Sequence, residues 1–152
     1  MRNVSVTVIK GTGLAAKDIS GFFRKTASSD PYFIIRFKNK CYTSEYRPKT
    51  LEPQWKAPSF QIGWINEVET KAMKIEIYDY DMVGAHDFMG MIRVPGHALY
   101  HLGLGDHMFW FELSSSKERA YRNQEVSGKI LVSFRIDVSR TLCIPSILSL
   151  GV

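Results

Sequence analysis

Asp79, Asp81 and Asp87 fall within nine residues of one another, in the stretch Ile77-Tyr78-Asp79-Tyr80-Asp81-Met82-Val83-Gly84-Ala85-His86-Asp87-Phe88-Met89-Gly90. Carboxylates this close repel one another unless positive charge sits between them. A hard divalent cation meets that need, because Ca2+ prefers oxygen ligands at ~2.3–2.6 Å supplied by flexible loops. Two more aspartates, Asp18 and Asp30, lie in an early loop, so these two stretches hold five of the seven aspartates in the chain. If the stretches meet, Asp18, Asp30, Asp79, Asp81 and Asp87 form one oxygen-rich cluster able to take Ca2+, with backbone carbonyls and water filling the shell. Aspartate also favours turns in its own right, but turn formation does not ask for this spacing.

The elements that would have to position these side chains read as strands. Val4 to Ile9 alternates apolar and small polar residues, as a half-buried strand does. Gly11-Thr12-Gly13 ends it, and without a third glycine or a following helix this is a weak dinucleotide signal. Residues 14 to 30 form a long loop, after which Pro31 favours extended geometry at Asp30. Tyr32 to Phe37 is a strand with Phe33, Ile35 and Phe37 on one face, and Cys41 to Arg47 is its hairpin partner. Trp55 is expected to cap the core. Ser59 to Ile65 is a further strand. Met73 to Tyr78 is another, with Met73, Ile75 and Ile77 inward, and Asp79 and Asp81 project together from its end. Phe88 to Val94, Phe109 to Leu113 and Gly128 to Val138 complete the set, the last with Ile130, Val132, Phe134 and Ile136 on one face. Residues 95 to 107 read as loop, and no segment carries a helical period of useful length. Short strands separated by turn signals predict an all-β, eight-stranded antiparallel β-sandwich over residues 1–138, followed by an apolar tail or linker over 139–152.

Length and composition agree with one globular domain: 152 residues, 45% apolar and 23% charged. The sequence shows no leading basic-then-apolar segment and no apolar run long enough to span a bilayer. Cys41 and Cys143 form no CxxC pair, which fits a reduced, intracellular setting. The net charge of +5 conceals a basic body around a concentrated acidic spot. That pattern points to an anionic partner.

The ordered pieces Val-Thr-Val-Ile-Lys-Gly-Thr-Gly-Leu with Lys17-Asp18, Ser29-Asp30-Pro31-Tyr32, Thr50-Leu51-Glu52-Pro53-Gln54-Trp55, Tyr78-Asp79-Tyr80-Asp81, Asp87-Phe88-Met89-Gly90 and Gly128-Lys129-Ile130 resemble the C2 domain, a calcium- and lipid-binding family. The resemblance runs from about Val4 to Ile136. It implies an eight-stranded sandwich that docks on anionic phospholipid membranes through Ca2+. Carried over by position, its metal ligands are Asp18, Asp30, Asp79, Asp81 and Asp87, although the interval from Asp18 to Asp30 is longer than is usual in the family. The absence of a strand before Val4, with a late strand from Gly128, is similar to the circularly permuted (type II) topology. The early loop loosely resembles the domain at the N-terminus of ubiquitin ligases with tandem WW modules.

On this reading the function is calcium-dependent binding to anionic membranes by a cytoplasmic, peripheral protein. Phe22, Phe23, Met82 and Val83 at the loop tips are predicted to enter the bilayer interface. On the family pattern Arg36, Lys38, Lys40, Arg47 and Lys49 form a second contact, for anionic lipid including phosphoinositide. The alternative is a calcium-independent module binding a protein or phosphoinositide within a larger signalling protein or ubiquitin ligase. A zinc cluster of His97, His101 and His107 is disfavoured, since no cysteine is near and the segment is irregular. The motifs G-x-S-x-G, GxxxxGK[ST] and H-E-x-x-H are all missing from the sequence, so no enzyme is expected. Nucleic acid is not expected either, because an acidic loop end repels phosphate.

Overall fold

The computed structural model describes residues 1–17 and 28–138. Alternating side chains generate eight strands: β1 (Arg2–Thr12), β2 (Pro31–Phe37), β3 (Lys40–Thr43), β4 (Phe60–Ile65), β5 (Ala72–Asp79), β6 (Asp87–Pro95), β7 (Gly105–Glu112) and β8 (Lys129–Val138). They form two antiparallel four-stranded sheets, in the orders β4-β1-β8-β7 and β3-β2-β5-β6. The eight-stranded sandwich expected from the sequence is the fold of the chain.

The core lies between the sheets. Val4, Val6 and Val8 of β1 and Ile130, Val132, Phe134 and Ile136 of β8 meet Phe33, Ile35 and Phe37 of β2 and Met73, Ile75 and Ile77 of β5. Every residue expected on these inward faces is buried, because a period of two allows only one face of each strand to leave water. Trp55 is buried with them and donates its indole N–H to the Pro31 carbonyl at 3.1 Å.

Two features depart from the sequence reading. Residues expected as loop contain a short helix, α1 (Gly96–His101), whose Leu99 enters the core. Six residues are too few to display a helical period. The second departure is a dry outer face on the sheet of β2, β5 and β6. Tyr32, Tyr78 and Phe88 make a second apolar cluster there, covered by a strap, residues 113–128, that joins β7 to β8. Tyr121 of the strap stacks on Phe88 with ring centres 4.8 Å apart. Met91 and Ser114 exchange backbone hydrogen bonds of 3.0 and 2.9 Å, and Lys17 Nζ donates to the Glu125 carbonyl at 2.7 Å. Burial raises the Tyr78 hydroxyl pKa well above its ordinary value. Gly90 permits the close approach: at φ +134° a Cβ would lie 2.8 Å from Val126 and 2.9 Å from Leu113.

Candidate metal and membrane-binding pole

Strand register decides where the aspartates stand. Asp79 ends β5, where it is paired with Pro31 of β2 on one side and with Asp87 of β6 on the other. Asp30 immediately precedes β2, and Asp81 follows β5 by two residues. Asp30, Asp79, Asp81 and Asp87 therefore share one pole of the sandwich, as the sequence reading required. Asp18 lies outside the described residues, but its stem is held there: Lys17 N–H donates to Ser29 Oγ at 2.9 Å, and Ser29 Oγ donates to the Ala15 carbonyl at 3.2 Å.

Two of the carboxylates tie loops together. Asp79 is buried, and its Oδ1 accepts the Asp30 N–H at 2.6 Å. Asp30 Oδ1 accepts the Lys49 N–H at 2.6 Å, while the Asp30 carbonyl accepts Tyr80 N–H at 3.0 Å. The donor type suits a hard cation, and so does the backbone placement. Even so, among the described residues no group of three or more His, Cys, Asp or Glu side chains converges closely enough to hold a metal ion. His97 and His101 lie on α1, and His107 on β7 has a ring nitrogen 3.3 Å from the Gly103 carbonyl.

The tip between β5 and β6 is bare. Met82 and Val83 are each 91% exposed. Phe22 and Phe23, expected at the neighbouring tip, lie outside the described residues. Beside the aspartates runs an aromatic belt that the sequence reading missed. The Tyr32 hydroxyl is 2.6 Å from His86 Nδ1, and Tyr80 stacks on Tyr46 at 4.3 Å. With Glu45 they line a cavity of about 590 Å³. The outward phase of Tyr32, Tyr78 and Tyr80 was the available signal, since these residues alternate with the core positions.

The five basic residues expected to make one lipid contact are divided. β2 carries the chain away from the aspartates, so Arg36, Lys38 and Lys40 lie toward the opposite pole, whereas Lys49 contacts Asp30. Most are also engaged within the fold. Arg36 Nε pairs with Glu76 at 2.9 Å, which raises the Arg36 pKa, and Lys38 Nζ pairs with Glu69 at 2.6 Å. Lys40 Nζ donates to the Gln61 carbonyl at 3.1 Å, and Arg47 Nε to the Gln54 carbonyl at 2.9 Å.

Residues 2–113 match the family model of the C2 domain. This chain belongs to the C2 domain family. Among curated proteins it is 30% identical to synaptotagmin-1 of Aplysia californica, over 87% of this chain and 29% of that protein. It is 28% identical to a probable serine/threonine-protein kinase of Dictyostelium discoideum, over 92% of this chain and 13% of the kinase. The chain thus spans only a small part of such relatives. Among solved structures, a C2 domain of plant extended synaptotagmin 1 superposes with a TM-score of 0.71 at 23% identity, over 90% of this chain and 95% of that one. The calcium-bound pair of C2 domains from extended synaptotagmin 2 gives 0.66 at 22% identity, over 88% of this chain and 45% of that one. At these identities the structures establish the sandwich, which is the fold derived above.

Proposed function

We propose that this C2 domain docks a cytoplasmic protein on anionic phospholipid membranes through its aspartate pole, in a calcium-dependent manner. The observation that carries the reading is the register of β2, β5 and β6. It gathers Asp30, Asp79, Asp81 and Asp87 at the pole where Met82 and Val83 stand bare. These four, with Asp18, are the residues that would hold Ca2+, and the ion would supply positive charge facing lipid phosphate. Before that charge arrives, the carboxylates repel an anionic surface. Met82 and Val83 contribute up to ~1.5–3 kcal/mol each if fully buried in the interface. No catalytic step belongs to this reading.

A second reading draws on a different observation. No three of the described carboxylates come close enough to hold a metal ion, and those of Asp30 and Asp79 already accept backbone N–H groups. That favours a calcium-independent module binding a protein or phosphoinositide, within a larger signalling protein or ubiquitin ligase.

Sedimentation with phosphatidylserine vesicles, with and without calcium, separates the two. Pelleting only with calcium, lost in Asp81→Asn/Asp87→Asn, supports the first reading. Those two residues are chosen because Asp79 also has a folding role. Pelleting indifferent to calcium, or none at all, favours the second.

A further inference from the structure

We infer that the strap completes an anion pocket for a phosphate monoester, remote from the aspartate pole. Lys74 of β5 and Arg93 of β6 are paired in register, and Lys117 of the strap lines the same cavity of about 310 Å³. Ser114, Ser115 and Ser116 form its remaining wall, above Met91, with Glu118 as the acidic member.

Three observations give the cavity its chemistry. First, Lys74, Arg93 and Lys117 take part in no salt bridge among the described residues, unlike Arg36 and Lys38 on the hairpin. Three cations outnumber the one carboxylate, Glu118, that lines the same concavity, and such an excess favours an anion there. Second, the strap offers donors. Ser114 hydroxyl is used on the Met91 carbonyl, and Ser116 Oγ accepts the Glu118 N–H. The Ser115 hydroxyl and the successive N–H groups of Ser115, Ser116 and Lys117 have no acceptor among the described residues. A run of backbone N–H groups beside cations is a concavity suited to anions. A phosphate monoester dianion, with three terminal oxygens, uses such donors better than a carboxylate does. Third, Arg93, Ser115 and Lys117 are exposed, so the cavity is reachable from solvent.

The pocket does not serve the aspartate pole. Lys74 precedes Asp79 by five residues on β5, a separation of ~17 Å at ~3.3–3.4 Å per residue. The phosphate belongs either to a phosphorylated lipid headgroup or to a soluble phosphate ester, and the pocket chemistry is the same for both.

The test is carried out in EDTA, which makes it independent of the calcium reading. Amide NMR of the whole chain at constant ionic strength follows titration with inorganic phosphate and then with a soluble inositol trisphosphate. Saturable shifts confined to Lys74, Arg93 and residues 115–117 are expected. Lys74→Gln/Arg93→Gln weakens binding at least about tenfold, the size of losing charge-assisted hydrogen bonds. Lys38→Gln/Lys40→Gln leaves it within about twofold, since those cations lie outside the pocket. Lys117→Gln, on the exposed strap, serves where the double variant does not fold. Vesicles of phosphatidylcholine with and without phosphoinositide form the second arm. Binding to the soluble esters alone assigns a soluble ligand, and binding only to phosphoinositide vesicles assigns the headgroup; either supports the pocket. Shifts spread evenly over all basic residues, affinity unchanged in the variants, or binding of a phosphopeptide alone overturns it.

Discussion

The two poles of the sheet formed by β3, β2, β5 and β6 handle charge in opposite ways. At the hairpin pole, opposite charges meet: Lys38 lies 2.6 Å from Glu69, and Arg36 2.9 Å from Glu76. At the other pole, like charges gather, and Asp30 and Asp79 each accept a backbone N–H. A backbone donor orients a carboxylate without neutralising it, so that pole keeps its negative field while its loops stay in register. At the hairpin pole Arg36 and Lys38 are matched by carboxylates, whereas at the aspartate pole Asp81 and Asp87 have no such cationic partner among the described residues.

The largest expected effect comes from the wedge behind the aspartate pole. Trp55→Ala should cost ~3–5 kcal/mol, because it empties core volume and frees the Pro31 carbonyl. Urea unfolding measures it, and a loss under 1 kcal/mol, roughly the size of a surface change, would show that the loop carrying Trp55 does not brace Asp30. Next is Asp79→Ala, expected to cost ~1.5–3 kcal/mol through the lost bond to Asp30 N–H. Equal stability in urea would mean the pole is not held as described. A third test concerns the hairpin pole. The Lys38 partner, with the Lys71 N–H, holds the Glu69 carboxyl below its ordinary value of 4.5. A depressed folded pKa stabilises above the unfolded value and loses that contribution as pH falls through the folded one. Wild-type stability should therefore decline as pH drops from 4.5, and Glu69→Gln should flatten that decline in thermal melts. The smallest effect on folding is at the tip. Met82→Ser/Val83→Ser should change stability by less than ~0.5 kcal/mol while weakening vesicle binding in the presence of calcium. Undiminished binding would place the membrane contact elsewhere.

The strands were legible because each presents one face to the core, so the apolar residues recur at a period of two. Phe33, Ile35 and Phe37 show it, and so do Ile130, Val132, Phe134 and Ile136. β3 ends earlier than expected, at Thr43 rather than Arg47. Beyond it the chain stays beside β2 through scattered bonds: Ser44 N–H donates to the Phe33 carbonyl at 2.9 Å, Phe33 N–H donates to Ser44 Oγ at 2.9 Å, and Arg47 N–H donates to the Pro31 carbonyl at 3.0 Å. The shared pole of Asp30 and Asp79 was legible through the sandwich topology, but their hydrogen bonds to backbone depend on distant loops. The strap was not legible. Tyr121 and Val126 sit in an irregular polar stretch with no period; their partner Tyr78 lies on the face that strand alternation assigns to solvent, and Phe88 joins it there only through a register shift that takes it out of phase with Ile92 and Val94. The division of the basic residues was hidden for a related reason, since nearness in sequence does not reveal which way a strand carries them.

The stem formed by Lys17 and Ser29 fixes the two ends of the intervening stretch side by side, whatever its length. Closing a longer excursion on a fixed stem is cheap, at ~0.6 kcal/mol for each doubling of a flexible loop. A change in the number of residues between these ends therefore costs the hydrogen-bonded ladder of β2, β5 and β6 little.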